Sequence, residues 1–229
     1  MADPAEPPLF LHEVIDIVGR GGAAYMAHTR DFDAGGAAAG GLDLVGTWEV
    51  VGTTGRWPQV VNIWEIDGWD GWARLAQRTN VAKRDNAELA EWWDEAYKRR
   101  TGGFDRVLRG APGCPTRTTL AADGVGGSWF VHELSEVRPG AGPEYLARTL
   151  AERVPAMAER GIALVGLYDS IFTDTEVCTV WATTVAAHTA LLRDGDPWPT
   201  VAREYCTRWR EELMTPGEGT ALARPEEPA

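Results

Sequence analysis

The sequence contains no apolar run of the roughly eighteen residues that a membrane-spanning helix needs. Its first residues, MADPAEPP, lack the basic flank and the apolar stretch of a signal peptide. Clusters of Lys and Arg, which drive binding to nucleic-acid phosphates, are also missing, and the net charge is −12. We therefore expect a cytoplasmic protein that has neither a membrane nor a nucleic acid as a partner.

Cysteine is scarce as well. Cys114, Cys178 and Cys206 are an odd number without C-x-x-C spacing, which predicts buried free thiols and neither a disulfide framework nor a metal site. Glycine is abundant, yet GRGGAAY at 19–25 has too few correctly spaced glycines for a dinucleotide site. The sequence therefore predicts no cofactor.

What the chain does contain is an internal repeat. A shift of 120 places PLFLHEV at 8–14 on SWFVHEL at 128–134, and GLDLVG at 41–46 on GIALVG at 161–166. Twelve of the 37 positions from 10 to 46 are then identical. Beyond them a shift of 117 aligns VVNIWEI at 60–66 with VCTVWAT at 177–183, so we expect a hairpin loop three residues longer in the first copy.

The periodicity of each copy predicts the order strand, helix, strand, strand, helix, followed by a fourth strand. The predicted fold class is α+β, with two tandem ferredoxin-like repeats that form a dimeric α/β-barrel-type architecture, because the uncovered face of each sheet needs a partner. Whether the barrel closes within one chain or between chains stays open.

The boundaries follow from the same alignment. Repeat 1 is predicted at 9–120, with a helical insertion at about 79–112 and a fourth strand near 116–120. Repeat 2 is predicted at 121–214, where a fourth strand is hard to find, and the composition of 1–8 and 215–229 predicts disorder.

Several motifs resemble the NIPSNAP family, within the wider dimeric α/β-barrel superfamily. They are HEL at 132–134 with RPG at 138–140, LVGTW at 44–48 with LVGLY at 164–168, and VVNIWEI at 60–66. The resemblance covers both halves, and it implies a central cavity between two sheets. Such cavities serve cofactor-free monooxygenases, polyketide cyclases and lactone isomerases, and haem enzymes similar to chlorite dismutase.

His12 and His132 are the predicted catalytic residues, because they occupy one position of the first strand in both copies. Neighbouring side chains of a strand point to opposite faces, so either these imidazoles or the carboxylates of Glu13 and Glu133 enter the cavity. An imidazole can move a proton to or from an activated carbon near neutral pH. The alternative is a structural role, with side chains hydrogen-bonded across the sheet.

Aromatic residues are the second set of candidates, since the chain has eleven tryptophans and aromatic walls suit a flat ligand. The predicted substrate-binding residues are Trp48, Asn62, Trp64, Trp69, Asp70, Trp72, Tyr168 and Trp181. Core packing is the alternative for Trp64 and Trp181, whereas Trp69 and Trp72 are expected at the mouth. Positions that differ between the copies, such as Asn62 against Thr179, point to one site lined unequally by two halves.

The sequence thus predicts a cofactor-independent enzyme that acts on an apolar, aromatic or polyketide-like small molecule by proton transfer, as in cyclisation, isomerisation or elimination. One alternative is a non-catalytic ligand-binding or assembly protein that uses the 79–112 insertion. A further alternative is a cofactor-free monooxygenase or a haem-binding protein, for which His188 is the candidate ligand in a predicted helix. Homo-oligomerisation stays open.

Overall fold

The computed structural model describes residues 6–35, 41–81 and 87–226. Repeat 1 contains β1 (Leu9–Ile17), α1 (Gly22–Gly35), β2 (Leu42–Val50), β3 (Gln59–Ile66), α2 (Gly68–Ala76) with a π-helical turn (Gln77–Val81), α3 (Ala87–Ala96) and β4 (Arg100–Gly110). The connection contains α4 (Arg117–Ala122). Repeat 2 contains β5 (Trp129–Val137), α5 (Gly142–Arg148), a π-helical turn (Thr149–Arg153), α6 (Val154–Ala158), β6 (Ala163–Ser170), β7 (Glu176–Thr183), α7 (Val185–Asp194), α8 (Trp198–Ala202) and β8 (Cys206–Pro216).

The strands form one closed barrel in the order β1-β3-β2-β8-β5-β7-β6-β4, and all neighbours are antiparallel. Each repeat contributes its fourth, first, third and second strands side by side, which is the ferredoxin-like order. The two sheets join where Val50 of β2 faces Met214 of β8, and where Leu108 of β4 faces Ser170 of β6. The predicted α/β-barrel fold is therefore confirmed, and one chain closes it.

The LVG motif of both copies has a structural explanation. The register of β2 against β3 shifts between Leu44 and Gly46, and that of β6 against β7 shifts between Leu164 and Gly166. A Cβ atom on either glycine would overlap the ring of the aromatic residue two positions later, inside the barrel. The loops that follow cover 51–58 and 171–175, which confirms the three-residue difference.

The fourth strands correct the sequence-based boundaries. Strand β4 occupies 100–110, inside the predicted helical insertion. Of the described residues of that insertion that follow the π-helical turn, only those of α3 are helical. The segment near 116–120 is helix α4, because the Thr116 side chain accepts a hydrogen bond from the backbone N–H of Thr119. Threonine suits strands and helix caps alike. The sequence pattern did not predict β4 as a strand, because the segment contains several charged residues and a Gly pair.

The carboxyl-terminal segment also differs from the prediction. Strand β8 extends to Pro216, and Leu222 is buried in the barrel core. Ala223 pairs with Gly127 in an isolated bridge, so the described part of 215–229 is packed against the barrel. Leu222 is a single apolar residue in a polar segment, so the average composition of the segment does not reveal that it is packed. The predictions for 1–5 and 227–229 lie outside the described residues.

The barrel interior is filled by side chains. Phe10 lies edge-on to Tyr168 with ring centroids 4.8 Å apart, and Trp48 packs on Phe130 at 5.3 Å. All four residues are fully buried. The interior is therefore packed where the family resemblance implied a central cavity. None of the helices in the described ranges is long and apolar enough to cross a membrane.

Candidate functional site

The two predicted catalytic histidines meet at the centre of the barrel. His12 on β1 and His132 on β5 are buried, and their ring centroids lie 5.0 Å apart. Alternation along the strands sends Glu13 and Glu133 to the opposite face, toward the helices. The imidazoles therefore converge inside the barrel, whereas each carboxylate lies in the helix-covered layer of its own repeat.

The two histidines are both buried but have different polar partners. Nδ1 of His132 lies 2.9 Å from Oε1 of Glu212. Burial raises the pKa of Glu212, but the hydrogen bond and the charge of His132 outweigh it and hold that pKa below its ordinary value. Burial, His132 and Arg106 together lower the pKa of His12 well below its ordinary value. His12 is therefore a neutral imidazole in a packed interior, and its predicted catalytic role stays a prediction.

An opening at one end of the barrel has a volume of about 270 Å³. Its lining is mostly charged and includes Arg56, Arg106, Arg208, Arg210, Glu136 and Glu176. Arg106 binds Glu176 through two hydrogen bonds of 2.7 and 2.9 Å. This opening does not match the apolar pocket that the sequence predicts.

An apolar cavity of about 360 Å³ lies in repeat 1, between the outer face of the sheet and the helices α1, α2 and α3. We call it the repeat 1 cavity. Aromatic side chains from the sheet and from all three helices form much of its wall: Phe32, Trp64, Trp72, Trp92 and Trp93. Its polar lining includes Glu13, Asp105 and Arg78. Such a volume and lining suit a small organic molecule.

Glu13 is held firmly in the repeat 1 cavity. Its Oε2 atom accepts hydrogen bonds from Nε1 of Trp64 at 2.8 Å and from Nδ2 of Asn62 at 3.0 Å. Both donors belong to β3, which pairs with β1 and places Asn62 directly opposite Glu13. No hydrogen bond to Oε1 is found among the described residues. One carboxylate oxygen is therefore anchored, and the other is available to a ligand.

Electrostatics make this carboxyl a stronger base than an exposed one. Burial raises the pKa of Glu13, and the nearby charge of Asp105 raises it further. The hydrogen bonds from Asn62 and Trp64 and the charge of Arg100 offset part of the shift. Asp105 lies across from Glu13 on β4, where burial also raises its pKa. The pair of carboxyls therefore holds a proton at a higher pH than isolated carboxyls do.

The equivalent carboxyl of repeat 2 is closed off. Oε2 of Glu133 accepts hydrogen bonds from Trp181, Thr179 and Arg153. Nη2 of Arg153 also lies 2.6 Å from Oε1, and both partners are almost fully buried. The guanidinium lies over the rings of Trp181 and Trp198, at 5.3 and 5.4 Å. In repeat 2, a cation and an indole thus occupy the space that is open in repeat 1.

The predicted binding residues separate into three groups. Trp64 and Trp72 line the repeat 1 cavity, and Asn62 orients Glu13. Trp69 is 40% exposed next to Trp72, and Asp70 is exposed at the start of α2. The others are buried away from the cavity, namely Trp48 and Tyr168 inside the barrel and Trp181 beneath Arg153.

Sequence reasoning missed the cavity residues contributed by α3 and β4. The tryptophans Trp92 and Trp93 were visible in an amphipathic run, but the sequence does not show which sheet α3 covers. Asp105 comes beside Glu13 only through the register of β1 and β4. Recognition of β4 as a strand would have revealed that carboxyl pair.

His188 does not fit the predicted haem role. It lies on α7, almost fully buried, with Nε2 3.6 Å from Oε1 of Glu211. The adjoining space is about 140 Å³, well below the roughly 300–1,000 Å³ of ligand pockets. The residues around His188 therefore leave no room for a porphyrin.

No family model matches the chain, and no curated protein matches it. Solved structures do match. A protein described as a candidate monooxygenase from Fusobacterium nucleatum has a TM-score of 0.62 and 10% identity, over 93% of each chain. An anthrone oxidase-like protein has a TM-score of 0.59 and 12% identity, over 96% of this chain and 98% of that one. At identities this low, the structural similarity shows a shared fold alone.

The solved structures give little support to the resemblance to the NIPSNAP family. A NIPSNAP domain protein from Burkholderia xenovorans has 17% identity and a TM-score of 0.38, over 47% of this chain and 99% of that one. A similarity of this size carries no argument about family membership. The dimeric α/β-barrel fold is shown, and the NIPSNAP family stays a prediction.

Proposed function

We propose that this protein is a cofactor-independent enzyme that binds an apolar, flat aromatic molecule in the repeat 1 cavity and moves a proton on it through Glu13. The observation that carries the proposal is the Glu13 carboxyl in an aromatic cavity of about 360 Å³, with Oε2 anchored by two donors. The base thus differs from the histidines that the sequence favoured, because His12 and His132 point away from this cavity.

The proton transfer uses groups that line the cavity. The free Oε1 of Glu13 takes a proton from a carbon that a neighbouring carbonyl group or aromatic ring activates. The substrate then carries the negative charge, and the guanidinium of Arg78 on the same wall stabilises it. Return of the proton to another carbon gives isomerisation, whereas attack by the carbanion on a second carbonyl gives cyclisation.

Two properties of Glu13 favour this role. The raised pKa brings the carboxyl closer to the operating pH, where general bases work best. Trp64 and Asn62 fix the carboxylate plane, so that little reorganisation accompanies the reaction. Glu133 is not available for this role, because Arg153 covers its carboxylate.

Anthrone is a suitable probe, because its methylene group is acidified by two flanking rings and a carbonyl group. The shared fold with an anthrone oxidase-like protein suggested this class of molecule. The protein is incubated with anthrone in buffered D₂O, and deuterium incorporation at the methylene carbon is followed by NMR. We expect the wild-type protein to accelerate exchange, with a rate that increases with pH through the raised pKa of Glu13.

Glu13→Gln keeps an acceptor for both donors and removes the base, so the acceleration should fall by about 10²–10⁴-fold. Glu49→Gln is the matched control, since burial raises the pKa of that carboxyl on β2, outside the cavity lining. Equal acceleration by wild type and Glu13→Gln would contradict the proposed base. Loss of acceleration in His12→Asn but not in Glu13→Gln would favour the histidine mechanism instead.

A non-catalytic ligand-binding protein is the second candidate, and the barrel interior favours it because side chains fill that interior. The same experiment separates the two. Quenching of tryptophan fluorescence by anthrone without accelerated exchange would support binding alone.

A further inference from the structure

The centre of the barrel brings together three side chains with metal-ligating atoms. They are His12 of β1, His132 of β5 and Cys178 of β7, all buried, and their ligand atoms lie within 4.8 Å of one another. No step of the proposed proton transfer uses them, because Glu13 faces the other side of β1. Two of the three strands are equivalent strands of the two repeats, so the site sits at the junction of both halves.

We propose that His12, His132 and Cys178 bind a divalent transition-metal ion, with zinc as the best match. Two imidazoles and one thiolate are ligands that Zn²⁺ accepts in tetrahedral sites. Ligands about 2.0–2.3 Å from a tetrahedral metal lie about 3.3–3.6 Å from each other. The observed spread therefore needs side-chain movements on the order of 1 Å, which rotations about the side-chain bonds can provide.

Unpaired nitrogen atoms support the assignment. Within the described part of the chain, Nδ1 and Nε2 of His12 and Nε2 of His132 are buried without a hydrogen-bond partner. A buried polar atom without a partner costs about 1–3 kcal/mol, so several together in one place need an explanation. A metal ion would use one lone pair of each imidazole at the point where the rings converge.

Glu212 supplies the second support. Its Oε1 atom lies 2.9 Å from Nδ1 of His132, which leaves Nε2 of His132 for the metal. A carboxylate behind a ligating histidine fixes the tautomer and strengthens the ligand. Glu212 is therefore a positioning residue in this site, and it acts through His132.

Charge balance is the third support. A divalent cation is neutralised by the Cys178 thiolate and the Glu212 carboxylate together. The charge of Arg106 is already paired with Glu176 through two hydrogen bonds. A neutral ensemble avoids the large penalty of an uncompensated charge in a packed interior. The thiol proton of Cys178 passes to solvent when the ion binds.

The structure also offers a path for the ion. The opening of about 270 Å³ at one end of the barrel is lined by Val14 and Leu134, each two residues beyond a histidine on the same strand face. The ligands thus lie one layer of side chains below the opening. Three protein ligands leave a fourth position for water or a small ligand, as in catalytic zinc sites.

The test uses the purified full-length chain after dialysis against a chelator. Co²⁺, a spectroscopic substitute for Zn²⁺, is added to the folded protein and, separately, during refolding from urea. We expect one Co²⁺ per chain and a thiolate-to-cobalt charge-transfer band in the near ultraviolet. Zn²⁺ should displace the cobalt, remove the band and raise the melting temperature.

Variants identify the ligands. Cys178→Ser should abolish the charge-transfer band, whereas Cys206→Ser, which alters another thiol, should keep it. Glu212→Gln should weaken metal binding by about 10–100-fold while the band persists at saturation. A folded wild-type protein without a stoichiometric band overturns the proposal, even if a variant fails to fold. A band that survives in Cys178→Ser also overturns it.

The outcome is independent of the proposed enzyme activity. Glu13→Gln should bind Co²⁺ as the wild type does, because Glu13 lies on the opposite face of the sheet. Failure of the metal test therefore leaves the proton-transfer proposal in place.

Discussion

The two repeats place equivalent carboxylates on the outer faces of their sheets, but they give them different surroundings. In repeat 1, Trp64 holds Glu13 at the wall of a cavity. In repeat 2, Trp181 holds Glu133 in the same way, but Arg153 pairs with it and Trp198 lies over the guanidinium. The strand framework is therefore shared, whereas the helix layer determines whether the carboxyl is available.

The difference can be traced to particular helix positions. Residue 153 aligns with Asp33 in repeat 1, whose Oδ1 accepts a hydrogen bond from the backbone N–H of Leu44. Trp198 comes from α8, while repeat 1 has α3 and its two tryptophans at the cavity. One cation and one indole thus occupy in repeat 2 the position of the repeat 1 cavity.

The largest effect is expected from Glu133→Gln. It removes the nearer carboxylate and leaves buried Arg153 with only the 3.3 Å contact to Asp196, and breaking a buried pair costs about 3–5 kcal/mol. Chemical denaturation measures the change in the free energy of unfolding. Glu13→Gln is the matched control and should change stability by less than about 1 kcal/mol, because no cation is left unpaired there. Equal losses in both variants would show that the two carboxyls have the same role.

A double-mutant cycle sharpens this result. Arg153→Met alone leaves the Glu133 carboxylate uncompensated, whereas the combination with Glu133→Gln removes both charges. We expect the double variant to be more stable than the sum of the single losses predicts, by about 1–3 kcal/mol. Additive losses would mean that the ion pair contributes no coupling.

The indole donors give a smaller effect. Trp64→Phe and Trp181→Phe each remove a hydrogen bond to a buried carboxyl, at a cost of about 1–3 kcal/mol. Trp64→Phe should also raise the pKa of Glu13 further, because the indole is one of the two donors that lower it. NMR titration of the carboxyl carbon measures this shift. An unchanged pKa would contradict the role of Trp64 as the orienting donor.

The smallest effect concerns pH. Because the folded state raises the pKa of Glu13 above its ordinary value of 4.5, it binds this proton more tightly than the unfolded chain does. The stabilising contribution is present below pH 4.5 and is lost as the pH rises through the folded pKa. Glu13→Gln does not titrate, so its stability relative to wild type should increase over this interval. The prediction is wrong if the difference in unfolding free energy between the two proteins stays constant from about pH 4 to about pH 8.

The repeat structure could be derived from sequence because it rests on local patterns. The shared FxHE strand, the LVG bulge and the loop lengths survive as similarity between the copies, and they predict the ferredoxin-like order. The fourth strands were harder to identify, since β4 and β8 are rich in charged residues. Their interior-facing Arg106 and Glu212 are paired only after folding, so neither strand shows an apolar alternation.

The candidate sites likewise include residues that the sequence predicted and residues that it did not. Trp64, Trp72 and Asn62 were predicted as ligand-binding residues, and the structure brings all three to the repeat 1 cavity or its carboxyl. The sequence reasoning favoured His12 over Glu13, although alternation along the strand shows only that the two side chains face apart and not which face is open. The cluster of His12, His132 and Cys178 could not be recognised in the sequence, since Cys178 lies far from both histidines in the chain.

The sequence by itself determined the duplication, the order of strands and helices, and the separation of His12 from Glu13 onto opposite faces, because these depend on local periodicity. The tertiary structure alone decided that the barrel closes within one chain and that its interior is packed. It also decided that repeat 1 keeps a cavity while Arg153 fills that of repeat 2. These outcomes depend on which segments, distant in the chain, pack together. They also depend on whether the volumes and charges of the side chains at those contacts leave a cavity.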